Sequence, residues 1–185
     1  MATRVSLFKV LRRELGPQIA ARGYAEVSQS ASDRTWLLPY FRKAPRGKSR
    51  GFFFQRNVKS LWVDALGSRF NLEFFSSSTG VYEWDYRERI YYLLTQPERE
   101  EMRILQNNMI KRLPPLETVL RPGQIKLYGK TIKPDRKIVK ESFNPLYDPW
   151  MRYRDEEDIL AWTLFIGRLL PDLTERFELA KRQRD

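Results

Sequence analysis

The chain has no cysteine and no histidine among its 185 residues. Without cysteine there is no disulfide, no thiolate nucleophile and no zinc knuckle. Without an imidazole there is no Ser-His-Asp or Cys-His mechanism, because no other side chain takes up a proton near neutrality in that role. The chemistries left are those of carboxylates, lysine, tyrosine, or a hard cation such as magnesium held by oxygen ligands. Long apolar runs are also missing. None approaches the roughly 18 residues that a membrane helix needs, so no membrane partner is expected. The start, MATRVSLFKVLRRELG, has charges inside its apolar periodicity and reads as an amphipathic helix, not as a signal peptide; a cytoplasmic location is the expectation. There is no Walker loop, no G-x-G-x-x-G and no EF-hand spacing, and GKTIK at 129–133 lacks the earlier glycine that a Walker A motif requires. No cofactor is expected.

What the chain has in excess is positive charge. It carries 34 Lys and Arg against 23 Asp and Glu, a net charge of +11. The excess is concentrated in two windows. Residues 42–50, RKAPRGKSR, hold Arg42, Lys43, Arg46, Lys48 and Arg50 with no acid. Residues 121–140 hold Arg121, Lys126, Lys130, Lys133, Arg136, Lys137 and Lys140 against Asp135 alone. Outside these windows 22 basic residues balance 22 acidic ones.

At 42% apolar and 14% aromatic, the composition is that of a folded chain. A single α+β domain over 1–185 is expected, with an antiparallel sheet of three to five strands, helices on one face and a helical C-terminal half. Residues 1–83 supply a helix and a β-meander. Phe8, Leu11, Leu15 and Ile19 recur at helical spacing over 4–22, where Gly16-Pro17 predicts a kink or a division and Gly23 a stop. TWLLPYF at 35–41 reads as a strand that Pro39 pushes toward an edge. GFFFQRNV at 51–58 reads as a second strand, its three phenylalanines as core. LWVDALG at 61–67 is ambiguous between strand and helix. RFNLEFF at 69–75 alternates Phe70, Leu72 and Phe74 against Asn71 and Glu73, and SSSTG closes it as a turn. Were one sheet face open, Gln55 and Asn57 would join Asn71 and Glu73 there as a polar patch.

Residues 84–113 read as a helical pair, 84–94 and then a longer helix. The second opens on Thr95-Gln-Pro-Glu98, a capping-box spacing, carries Met102, Leu105 and Met109 on one stripe, and stops at Pro114-Pro115. Within 116–145, QIKLYGKTIK predicts a two-stranded ribbon turning near Gly129. Residues 150–185 read as two helices, the first capped near Asp155 and the second starting at Asp172.

The two basic windows are the candidate functional sites. Arg42, Lys43, Arg46, Lys48 and Arg50 suit phosphate contacts, since each neutralised phosphate releases condensed counterions. Pro45 and Gly47 would let the backbone approach a ligand. The plainer reading is a solvated hairpin loop. In the second window, Tyr128 lies among Lys126, Lys130, Lys133, Arg136 and Lys137, as in single-strand binders that set a stacking ring among cations. Its plainer reading is an edge hairpin kept from aggregating by lysines. The expected function is therefore a non-catalytic basic protein that contacts nucleic-acid phosphates with little base specificity. A protein-protein interaction module is the alternative. A metal-dependent carboxylate hydrolase or nuclease is the third; its acids would be Asp64 and Glu73, but no acid-x-Lys stands at the required strand spacing. The acids 155–158 look like a metal loop only in composition, because acids in a first helical turn are accounted for by the helix dipole.

LFKVLRRELGPQIAARGY, FFFQRNV and RFNLEFF, with DPWMRYRDEEDILAWTLFI as a closing helix, resemble in their order a family of small bacterial domains of unknown function, the DUF proteins. The resemblance covers about the first 80 residues and departs where SSSTG stands in place of a glycine-ended strand. It implies the fold and a bacterial or phage setting, and no catalytic residues.

Overall fold

The computed structural model describes residues 7–27, 36–43, 49–56, 68–79, 84–111, 126–127, 130–131 and 150–184. Their order is α1 (Leu7–Ala21), β1 (Ala25–Glu26), β2 (Leu37–Lys43), β3 (Ser49–Arg56), β4 (Ser68–Ser77), β5 (Tyr86–Arg89), α2 (Ile90–Leu93), α3 (Gln96–Lys111), β6 (Lys126–Leu127), β7 (Lys130–Thr131), β8 (Met151–Tyr153) and α4 (Glu156–Arg182). The protein is α+β. Strands β1 to β5 form an antiparallel meander in sequence order, and β8 joins beside β4. Strand β4 is the hub: β3 runs along one edge, and β8 and β5 share the other, pairing with its first and second halves.

Alternation along the strands divides the aromatics between two faces. Phe52, Phe54, Phe70, Leu72 and Phe74 face α1 and α4 and are buried in the main core with Leu11, Leu15, Trp162 and Ile166. Phe53 and Phe75 point the opposite way into a smaller apolar cluster with Leu37, Trp36, Phe41 and Trp84. The Phe-Phe-Phe run is thus core on both sides of the sheet. The polar patch foreseen on the second face is not an open surface. Asn71 and Glu73 are buried there, and the Glu73 carboxylate accepts from the Asn71 amide at 3.0 Å and from Arg89 Nε at 3.2 Å. Arg87 Nε lies 3.2 Å from the other Glu73 oxygen. A buried carboxylate is tolerable only when paired and hydrogen-bonded in this way.

Helix α1 runs through Gly16-Pro17 without dividing. Pro17 lies on the exposed side, where water reaches the carbonyl its missing N–H leaves unbonded. The helix ends at Gly23, whose φ of 77° suits glycine. The expected helix over 84–94 is not formed; residues 86–89 are strand β5, and only 90–93 are helical. The ladder to β4 and the two arginines on Glu73 impose the extended form. Ser76 and Ser77 continue β4, so the turn expected at SSSTG begins only at Ser78.

The Glu98 half of the capping box is formed: its carboxylate accepts from the Thr95 N–H at 2.7 Å. The two expected C-terminal helices are one, the 27-residue α4, with Pro171 inside it. Its buried stripe, Ile159, Trp162, Phe165, Ile166, Leu169, Leu170, Leu173 and Phe177, crosses Pro171 without a change of phase. Burying that stripe outweighs the ~3 kcal/mol that an interior proline costs. Asp172 starts no helix; it pairs with Arg176 at 3.5 Å. Gln106 ties β8 to α3, accepting from the Arg152 N–H at 3.1 Å and donating to the Trp150 carbonyl at 2.6 Å. Strands β6 and β7 form the expected ribbon and pair with no strand of the main sheet. The segment 61–67 lies outside the described residues.

Candidate nucleic-acid interface

The first basic window is built into the sheet. Hydrophobic alternation carries β2 and β3 beyond the aromatic core, so the ends of RKAPRGKSR are strand, not loop. Arg42 pairs with Arg50, and Lys43 with Ser49. Arg46 and Lys48 lie outside the described residues. Like charges directly opposite on a ladder repel. Here each arginine has its own partner. The Arg42 guanidinium lies 5.0 Å from the ring centroid of Tyr24, a cation–π contact. Arg50 Nη1 lies 3.1 Å from the Glu178 carboxylate on α4.

Register extends this pair across the sheet. Arg50 faces Ser76 on β4, and Ser76 faces Tyr86 on β5. Arg42, Arg50, Ser76 and Tyr86 thus form one row over four adjacent strands, roughly 14 Å from end to end at the usual strand spacing. The C-terminal end of α4 lies along the row. Phe177 stacks on Tyr86 with centroids 5.2 Å apart, Glu178 holds Arg50, and Lys181 and Arg182 follow Glu178 by one turn. Arg184 lies over the Tyr86 ring at 5.3 Å and approaches Glu88 at 3.5 Å. Burial, with the Glu88 charge beside it, pushes the Tyr86 phenol above its ordinary pKa. The Ser76 hydroxyl, only 3% exposed, has no hydrogen-bond partner among the described residues.

Five arginines away from the row are matched by acids, as Arg50 is by Glu178. Glu26 holds Arg12, Glu98 holds Arg176, Glu101 holds Arg168 and Glu73 holds both Arg87 and Arg89. Apart from the last turn of α4, these paired arginines contribute little surplus field, in keeping with the charge balance outside the two windows.

In the second window, Lys126 stands opposite Thr131, and Lys130 opposite Leu127. Tyr128, Lys133, Arg136 and Lys137 lie outside the described residues. Of the acids weighed for a metal site, Asp64 lies outside them too, and Glu73 is engaged by two arginines. Among the described residues no group of three potential metal ligands occurs. The acids 155–158 are a helix cap: Asp155 accepts from the Asp158 N–H at 3.0 Å, and Asp158 from the Arg154 N–H at 2.8 Å. Among the described residues no helix is long and apolar enough to cross a membrane.

Sequence reasoning misses Tyr86, Lys181, Arg182 and Arg184 as members of this rim. KRQR at 181–184 is the sequence signal for the helix-end cations. Tyr86 was hidden in a segment read as helix. No protein-family model, curated protein or solved structure matches the chain.

Proposed function

We propose that this chain is a non-catalytic basic binding protein that holds nucleic acid through its phosphates, with little base specificity. The observation that carries the reading is the Arg42–Arg50 cross-strand pair beside the cationic end of α4. That arrangement gathers the base of one charge-rich window and the last-turn cations Lys181 and Arg182 on one rim. Arg46 and Lys48, and the cations of 121–140, supply the remaining phosphate contacts. The test is a shift assay with single- and double-stranded DNA and RNA over a salt series. With six or more contacts, affinity falls by roughly 10³-fold or more between 50 and 200 mM salt. Reversing Arg46, Lys48 and Arg50 to glutamate abolishes binding. Affinity that ignores salt, or survives the triple reversal, refutes the reading.

A second reading, a protein-docking surface, is favoured by two exposed apolar residues. Ile104, one turn beyond Glu101, and Leu164, one turn before Arg168, flank the bridge joining α3 and α4 and are 47% and 77% exposed. A partner held there would co-elute through high salt.

A further inference from the structure

We propose that the cleft between β5–α2 and the end of α4 seats an unpaired base, making single-stranded nucleic acid the preferred ligand. This rests on the nucleic-acid reading above and adds to it a selectivity that phosphate contacts alone do not give.

The cleft has a volume of about 600 Å³, within the range of small-ligand sites, and Tyr86, Glu88, Tyr92, Leu93, Gln183 and Arg184 line it. Two tyrosines stand in its wall, and they are not equivalent. Tyr86 is already occupied, stacked on Phe177 and overlaid by the Arg184 guanidinium. Tyr92 is 55% exposed, and its one ring contact among the described residues is the near-perpendicular meeting with Tyr91, at 82°. A large exposed aromatic in the wall of a cleft that Arg184 also lines is an arrangement on which a base stacks.

Position supplies the second argument. Tyr86 ends the row that begins at Arg42 and Arg50, so the cleft opens two strands away from that arginine pair and beside the last-turn cations of α4. A strand whose phosphates are held by these cations delivers a base to Tyr92. The polarity of the helix end supplies the third. The C-terminus of α4 carries the negative end of the helix dipole and carbonyls without intrahelical partners. Those carbonyls accept from the exocyclic amino group of a base, and the Gln183 amide adds a donor and an acceptor, while Lys181 and Arg182 answer the phosphates on either side. In a duplex the bases are stacked and paired, so none can enter.

The test uses three fluorescent probes of one length: a single-stranded DNA, its duplex, and an abasic strand with the same phosphates. Each is titrated against the full chain, Tyr92→Ala and Tyr92→Phe. The expected result is tighter binding of the single strand than of the abasic strand. Tyr92→Ala weakens the single strand by about 5- to 150-fold, the range measured for loss of one stacking ring. Duplex affinity, salt slope and melting temperature stay unchanged, and Tyr92→Phe restores single-strand binding. Equal affinity for single and abasic strands, or no effect of Tyr92→Ala while the charge reversals still abolish binding, overturns the base seat and leaves the phosphate reading standing. A loss by Tyr92→Ala that is equal on all three probes also overturns the seat. No binding of any probe at low salt removes both.

Discussion

Replacing Gly51 with alanine would put a methyl group where the protein already has atoms. A Cβ built there falls 2.2 Å from the Tyr40 carbonyl oxygen and 2.7 and 2.9 Å from two atoms of the Phe75 ring. Gly51 is paired on both sides, with Phe41 on β2 and Phe75 on β4. The carbonyl cannot retreat without disturbing the ladder, and the ring is part of the buried cluster with Phe53 and Trp84. Overpacking of this kind destabilises by about 1–3 kcal/mol. Losing glycine's freedom in the unfolded chain returns about 0.4–1 kcal/mol. The net loss is about 1–2 kcal/mol, and a chain of this size drops by roughly 2–4 °C per kcal/mol. A thermal melt followed by tryptophan fluorescence should therefore fall by about 2–8 °C. Gly16→Ala is the control. Nothing lies within 4 Å of its Cβ position, and it sits inside α1, so alanine there raises the melting temperature. If Gly51→Ala melts at or above the parent, the ring does not lie over the glycine and the register of β2, β3 and β4 as described is wrong.

Two pH dependences follow from buried or paired groups. Arg176 donates to both oxygens of Glu98, and the Thr95 N–H adds a third bond, holding the Glu98 carboxyl down at about 2 from 4.5. A folded-state value below the unfolded one stabilises above the unfolded pKa and is lost on acidification, so stability declines as pH falls from about 4.5 toward 2. Glu98→Gln should cost about 1–2 kcal/mol at pH 7, given the partial exposure of Arg176, and flatten that acid limb in urea unfolding; an unchanged limb contradicts the pairing. Burial, reinforced by the Glu26 charge, pushes the Tyr40 phenol up to about 12 from 10.0. Here the folded value is the higher one, so the contribution is intact below pH 10 and lost as pH rises toward 12. Tyr40→Phe should reduce the alkaline loss measured by urea unfolding across that range, and an identical loss in the variant shows that Tyr40 is not the group responsible.

Where one element's own residues determine its form, the sequence was sufficient. The spacing of Phe8, Leu11, Leu15 and Ile19 marked the buried face of α1, and all four are buried. Thr95 and Glu98 marked the start of α3, and the alternation of Phe70, Leu72 and Phe74 marked β4. Where a distant partner decides, it was not. Tyr-Arg-Glu-Arg-Ile has no local mark of a strand; what makes it β5 is a buried Glu73, more than ten residues earlier, that needs Arg87 and Arg89 beside it. Glu73 reads as solvent-facing because its arginine partners lie on another strand, and Asn71 because its amide is bonded to that buried carboxylate. Pro171 is a helix breaker by local rules, yet the stripe from Ile159 to Phe177 carries the helix through it. The candidate rim combines both cases. The cations of 42–50 were visible as composition, but that Arg42 and Arg50 align with Ser76 and Tyr86 depends on three strand pairings that no single segment encodes.

That alignment bears on whether the charge is there for solubility alone. A loop kept soluble by lysine and arginine can hold them all in its turn, where water screens them and nothing need answer them. In this hairpin two of the arginines stand in the paired strands, facing each other, where repulsion works against the ladder. The fold spends an aromatic face, Tyr24, on one and a carboxylate, Glu178, on the other to keep them there. Both partners come from outside the hairpin, Tyr24 from beyond the end of α1 and Glu178 from the last turns of α4, so the core elements position the charged rim. Glu178 lies only three and four residues before Lys181 and Arg182, so the contact that steadies Arg50 also brings the helix's terminal cations to the hairpin. Charge positioned in this way, by register and by helix docking, is what the proposed phosphate contacts require.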